Sequence, residues 1–178
     1  MQNLAYNSWY WRFENAELAD PDLAFNLTLS LCDTCQLVYP NPKLQLVLCE
    51  IITNAIDYGV LGLSSALKNK PDGFDRYIVE RQKTLASLTD GWISVSVDQS
   101  AASLIQIVVQ DSGAGFDFTN HVSQAQNDVL SMGGRGLLII KSLCETVEHT
   151  GNGNCIVVEF DASIAATNDE LRKQAIAS

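Results

Sequence analysis

The sequence predicts an α+β protein, a two-layer α/β sandwich in which helices cover one face of a mixed, mostly antiparallel sheet. Three observations carry that expectation. Apolar residues recur at helical spacing in separate stretches, short runs rich in Val and Ile alternate with polar residues, and two of those runs are joined by a turn too short for a crossover. Packing such helices on such a sheet is the usual way to bury both apolar surfaces. The 178 residues suffice for one domain with a full core, expected over residues 1–162, followed by a tail or short helix over 163–178.

Residues 8–14, SWYWRFE, are rich in aromatics and read as a first strand. Residues 18–38, LADPDLAFNLTLSLCDTCQLV, read as a helix with Asp20 as N-cap and Pro21 at its first position. YPNP interrupts, and KLQLVLCEIITNAIDYG, residues 43–59, reads as a second helix ended by a C-terminal cap at Gly59. Residues 60–76 read as a loop with a short helical piece, and 77–91, YIVERQKTLASLTDG, as a third helix closed by Gly91. WISVSVD and SLIQIVVQD, joined by QSAAS, form an antiparallel hairpin. Residues 116–133 show no clean period and read as a long mobile connection. GRGLLIIKSLCETVEH, residues 134–149, reads as a helix that starts on glycines and ends at a capping His149. TGNGN turns into a last strand, CIVVEF, and the tail offers a capping box at Thr167 to Glu170. The expected order is β-α-α-α-β-β-α-β.

Composition removes several classes of function. Apolar residues make up 47% and charged residues 18%, which is a globular balance. No run approaches the roughly 20 apolar residues of a membrane helix, and the start lacks a secretory pattern, so a cytoplasmic protein without membrane contact is expected. The net charge of −10 argues against nucleic acid, whose binding rests on cations neutralising phosphates. A nucleotide remains compatible if backbone amides, a helix end and a metal ion make its site. The five cysteines are expected as reduced thiols. Cys32 and Cys35 form a CxxC, but no second CxxC and no histidine at ligand spacing accompany it, so buried helical thiols are favoured over zinc or a redox pair.

Three polar constellations remain. Glu50 and Asn54 lie four apart on the second helix, roughly 40° from each other on one face. They flank a stripe of Leu44, Val47, Leu48, Ile51, Ile52, Ala55 and Ile56, and Tyr58 continues their row. A carboxylate and an amide oxygen facing a cleft fit this placement, and so does a solvated flank. VVQDSGAGFDF, residues 108–118, ends a strand in Asp111 at the sheet's edge, able to accept a hydrogen bond from an exocyclic amine. Gly113 and Gly115 then let a flat ligand approach the backbone, although DSGAG also describes an ordinary turn. MGGRGLL, residues 132–138, opens a helix on glycines, leaving amides that bind phosphate beside Arg135, or a helix start with no ligand. Neither a P-loop nor a dinucleotide fingerprint occurs.

The order Glu-x-x-x-Asn on a helix, Asp-x-Gly-x-Gly after a strand and Gly-x-Gly opening a helix resembles the GHKL superfamily of ATPases and kinases, with its Bergerat ATP-binding fold, over residues 8–160. ITNAIDYGVLGL and GGRGLLIIKSL look most like the anti-sigma factor serine kinases and the related domains fused to bacterial phosphatases. The resemblance implies ATP and Mg²⁺ as cofactors, with Asn54 binding the metal and Glu50 as general base. It implies Asp111 on the adenine amine, Gly115 beneath the base, and Gly134 and Gly136 on the phosphates. The implied nucleotide-binding set also takes in Asp57, Tyr58, Gly113, Phe116, Gly133, Arg135 and Leu137, with residues 116–133 as a lid. The implied activity is a serine/threonine protein kinase acting on a small antagonist of a sigma factor, with that sigma factor as a second partner and a homodimer as a possible assembly. The alternative is a non-catalytic, nucleotide-gated partner-binding module of a larger regulator. Tyr58 stands where many relatives carry histidine, and Asn154 and Cys155 stand where a threonine is frequent.

Overall fold

The computed structural model describes residues 7–64, 68, 72–115 and 135–165. Its sheet has five strands: β1 (Asn7–Glu14), β2 (Trp92–Gln99), β3 (Leu104–Asp111), β4 (Thr146–Thr150) and β5 (Cys155–Asp161). They lie in the order β1-β2-β3-β5-β4, and every pairing is antiparallel, so the mixed sheet expected from sequence is antiparallel throughout the described residues. Among the described residues four α-helices accompany it: α1 (Leu23–Thr34), α2 (Pro42–Asn54), α3 (Gly73–Ala86) and α4 (Arg135–Leu143).

Register explains the two layers. Trp11, Val95, Val109, Ile156 and His149 align across the sheet, and the flanking row runs Trp9, Val97, Ile107, Val158 and Val147. These side chains share one face because the side-chain period of a strand is two. Val95, Val97, Ile107 and Val158 are fully buried there. The other face carries Arg12, Ser94, Gln110, Cys155 and Thr150 in one row, which needs no cover. On α2, Leu44, Val47, Leu48, Ile51 and Ile52 are the buried residues, the predicted stripe at three- and four-residue spacing.

Local chemistry moved several boundaries. The expected first helix divides into a 3₁₀ turn (Asn15–Ala19) and α1. Asp20 does not cap a helix at Pro21; its Oδ1 accepts the Asp22 amide at 2.9 Å, a local turn that postpones the helix. At the far end Gln36 is left-handed, with φ 53°, and Leu37 donates back to the Cys32 carbonyl, so Leu37 and Val38 fall outside α1. Asn41 caps α2 by accepting the Leu44 amide at 3.1 Å. The third helix starts four residues early and stops at Ala86, where Ser87 folds onto the Thr84 carbonyl. Gly91, expected to close it, instead packs where a Cβ would lie 2.6 Å from Val60 Cγ1. Residues 146–150, expected as the end of a helix, form β4; their β-branched residues pair with β5 around the turn at 151–154, and His149 is a strand residue rather than a cap. Residues 116–134 and 166–178, which hold the expected lid and capping box, lie outside the described residues.

Cys32 and Cys35 are buried in the core, and burial pushes the Cys35 thiol up to about 11. Among the described residues no helix is long and apolar enough to cross a membrane.

Ile107 is fully buried in the middle strand. Ile107→Ala is expected to cost about 2–5 kcal/mol in unfolding free energy, read from the midpoint of a urea titration at unchanged slope.

Candidate functional site

The site lies where α2 ends against β3 and α4. Glu50 and Asn54 occupy the last turn and final position of α2, both partly exposed on the flank of the buried stripe. Among the described residues, no hydrogen bond engages the Glu50 carboxylate or the Asn54 amide. The first turn of α4 faces them. A Cβ added to Gly136 would fall on Glu50 Oε2, 3.4 Å from its Cδ and 3.6 Å from Asn54 Nδ2. The first and third constellations of the sequence are therefore adjacent, at an approach so close that a Cβ on residue 136 would collide with Glu50.

After Asn54 the helix continues as a π turn (Ala55–Val60), in which Leu61 donates to the Ile56 carbonyl at 2.9 Å. Each turn holds one residue more than an α-helix, so the side chains that follow are rotated away from the α2 stripe. Asp57 is 2% exposed and turns toward α3, where Tyr77 Oη donates to its Oδ2 at 2.5 Å and Arg81 Nε to its Oδ1 at 2.6 Å. Tyr58 Oη accepts from Lys68 Nζ at 3.1 Å. Gly59 is not the expected left-handed cap. That conformation belongs to Gly62, with φ 60°, and the Leu63 amide closes the segment on the Asp57 carbonyl at 2.9 Å. Gly59 is glycine for a different reason: a Cβ there would lie 2.5 Å from Asp111 Oδ1 and 2.6 Å from Oδ2.

Asp111 ends the central strand, not an edge strand, and is paired across to Ile93 on the helix-covered face. It is 7% exposed. Its Oδ1 accepts the Gly113 amide at 2.7 Å, its own amide donates to the Asn154 carbonyl at 3.0 Å, and its carbonyl accepts from Asn154 Nδ2 at 3.0 Å. Burial pushes the carboxyl above the usual aspartate range, and the Gly113 amide opposes that in part. A Cβ on Gly113 would lie 2.6 Å from the Gly59 carbonyl carbon. Gly115 has φ 80° and passes close to the backbone of Asn152, so the β4–β5 turn forms one wall here.

Asp111 and Gly113 thus meet the π turn at one end of the site, with Gly115 against the β4–β5 turn, while Glu50, Asn54 and Gly136 meet at the other. Leu137 follows Gly136 on α4, partly exposed. Arg135 is the first residue of α4, and Phe116, Gly133 and Gly134 lie outside the described residues. Sequence reasoning missed the contact role of Gly59, the anchoring of Asp111 by Asn154, and the partners of Asp57. Tyr77 and Arg81 are four apart, one helical face; that spacing, beside a lone carboxylate in an apolar helix end, was the available signal.

A family model described as the histidine kinase-like ATPase domain matches residues 18–160. The chain belongs to the histidine kinase-like ATPase domain family. The matched region runs from before α1 to the end of β5 and includes every described residue of the site. No curated protein matches the chain. Membership in this ATPase family implies ATP binding and agrees with the α+β sandwich.

A raised carboxyl in the folded state means that the folded protein holds the Asp111 proton more tightly than the unfolded chain. The associated destabilisation is absent below the unfolded value of about 3.9 and grows as pH rises through the folded value. Asp111→Asn, which keeps an acceptor for the Gly113 amide, should therefore melt higher than the parent at pH 7. The gap should close as the pH approaches about 3.5 in scanning calorimetry.

Proposed function

We propose that this histidine kinase-like ATPase domain is a Mg-ATP-dependent serine/threonine protein kinase of the anti-sigma type, phosphorylating a small antagonist protein and regulating a sigma factor. The observation that carries the reading is Gly136 at the start of α4, seated so close to Glu50 and Asn54 that a Cβ there would collide with the Glu50 carboxylate. A phosphate bound there meets helix-start amides on one side and an amide oxygen and a carboxylate on the other.

The residues present fit magnesium: Asn54 offers an oxygen donor with no competing hydrogen bond among the described residues, next to the Glu50 carboxylate. Held by Asn54, the ion would neutralise charge on the triphosphate. Glu50 takes the proton of the attacking hydroxyl as its oxygen bonds to the γ-phosphorus and the bond to the ADP oxygen breaks. Asp111 accepts from the adenine amine, the close approach of Gly59 and Gly113 fixing its carboxylate. Gly115 lies beneath the base, with Phe116 next to it in sequence. Gly133, Gly134, Arg135, Gly136 and Leu137 form the phosphate end, with the Gly134 and Gly136 amides on the phosphate oxygens. Asp57 supports the π turn through α3 and does not reach the nucleotide, and Tyr58 stands beside it against Lys68.

Incubating the protein with labelled ATP, Mg²⁺ and a small antagonist protein of this type is expected to label a serine or threonine of the antagonist. Glu50→Gln should lower that rate by about 10² or more while ATP still binds. Gly136→Ala, which drives a methyl into Glu50, should weaken ATP binding by at least about tenfold in calorimetry. ATP binding without transfer, together with a partner affinity that changes with ATP, would assign a nucleotide-gated binding module instead.

A further inference from the structure

Asp57 is a buried carboxylate that takes no part in the proposed phosphoryl chemistry, yet all of its acceptor atoms are engaged. Its backbone carbonyl receives the Leu63 amide, one carboxylate oxygen receives Tyr77 and the other Arg81. Tyr77 is 3% exposed, and the Arg81 side chain is 30% exposed. Lys68 Nζ sits 4.0 Å from the centroid of the Tyr77 ring and 5.5 Å from that of Tyr58, closing the cluster from the connection that follows the π turn. Burial and the hydrogen bond to Asp57 raise the Tyr77 hydroxyl, so it remains a donor at physiological pH.

The cluster matters because of what lies two residues further along. Asp57 and Gly59 share one six-residue π turn. The backbone of Gly59 presses on the Asp111 carboxylate and is itself closed off by Gly113. A shift of this turn by a fraction of an ångström displaces Asp111 or opens the space that holds it. On the side facing α3 the turn is fixed by two charge-assisted hydrogen bonds to Asp57, with Lys68 over the rings of Tyr58 and Tyr77, and on α3 only Gly73 and Tyr77 are buried. Each strand of this linkage is short: side chain to carboxylate, two residues of turn, backbone to carboxylate.

Resting on the ATP-site reading above, we propose that Asp57, Tyr77 and Arg81 are positioning residues that hold the base-recognising carboxylate of Asp111 in register, so that α3 sets the purine preference of a pocket it does not touch. The linkage acts through geometry, because neither Tyr77 nor Arg81 contacts Asp111.

Titration calorimetry of the full chain with MgATP and with MgGTP tests this on wild type, Arg81→Ala, Arg81→Lys, Tyr77→Phe and Asp111→Asn, each checked for folding by a thermal melt. Arg81→Ala is expected to lose at least about tenfold in ATP affinity and to narrow the ATP-over-GTP preference. Tyr77→Phe, which removes one hydroxyl and keeps the ring, moves both the same way by a smaller factor, and Arg81→Lys recovers part of the preference. If wild type prefers ATP and Asp111→Asn abolishes that preference, while folded Arg81→Ala and Tyr77→Phe keep it, the positioning role is overturned and the pair is a structural brace alone. If wild type fails to bind ATP, or Asp111→Asn leaves the preference intact, the ATP-site reading itself fails and carries this inference down with it.

Discussion

The carboxylate of Asp111 occupies the space that a side chain on residue 59 would need, and the rest of the site is arranged around that contact. Only a residue without a Cβ allows the helical segment to come this close to the end of β3. The approach costs nothing in backbone strain, since Gly59 is not among the residues with positive φ. It does require that both partners be held from behind. Asn154 fixes the backbone of Asp111 through its carbonyl and its amide, and Asp57 fixes the turn that carries Gly59 through α3. Among the described residues this nearly buried carboxylate accepts the Gly113 amide alone, which leaves acceptor capacity that burial makes expensive to leave unused.

Charge has a local role here and a global one. A chain of net charge −10 offers no long-range attraction to an anion. Short-range dipoles act where net charge does not, and the first turn of α4, at Gly136, lies where Glu50 and Asn54 converge. Arg81 and Lys68, beside the π turn, are occupied with Asp57 and with tyrosine rings and stabilise the frame.

The scaffold behind the site is more conventional. An antiparallel sheet with one apolar and one polar face needs cover on one side only. The buried positions of α2 belong to the same hydrophobic core as Val95, Val109 and their neighbours. Because this packing sets where α2 ends, it also sets how far Glu50 and Asn54 stand from β3. Stability and site geometry therefore depend on the same apolar stripe.

The sequence by itself determined the elements whose signals are local. The stripe from Leu44 to Ile52 made α2 a helix, alternation made β2 and β3 strands, and the QSAAS turn made them a hairpin. The four-residue spacing of Glu50 and Asn54 placed them on one face, and the glycine-flanked Asp111 was legible as a polar strand end. What sequence left undecided depended on partners distant along the chain. Residues 146–150 have a local pattern compatible with a helix end, and pairing with β5 made them a strand. Gly59 looked like a cap, and only contact with Asp111, 52 residues on, gave its reason. Asp57 entered only as part of the nucleotide-binding set that the resemblance implies, and its bonds to Tyr77 and Arg81 emerge only with the π turn in place. Helical and strand periodicity is written in neighbours, whereas close approach and burial of charge exist only once remote segments are packed together.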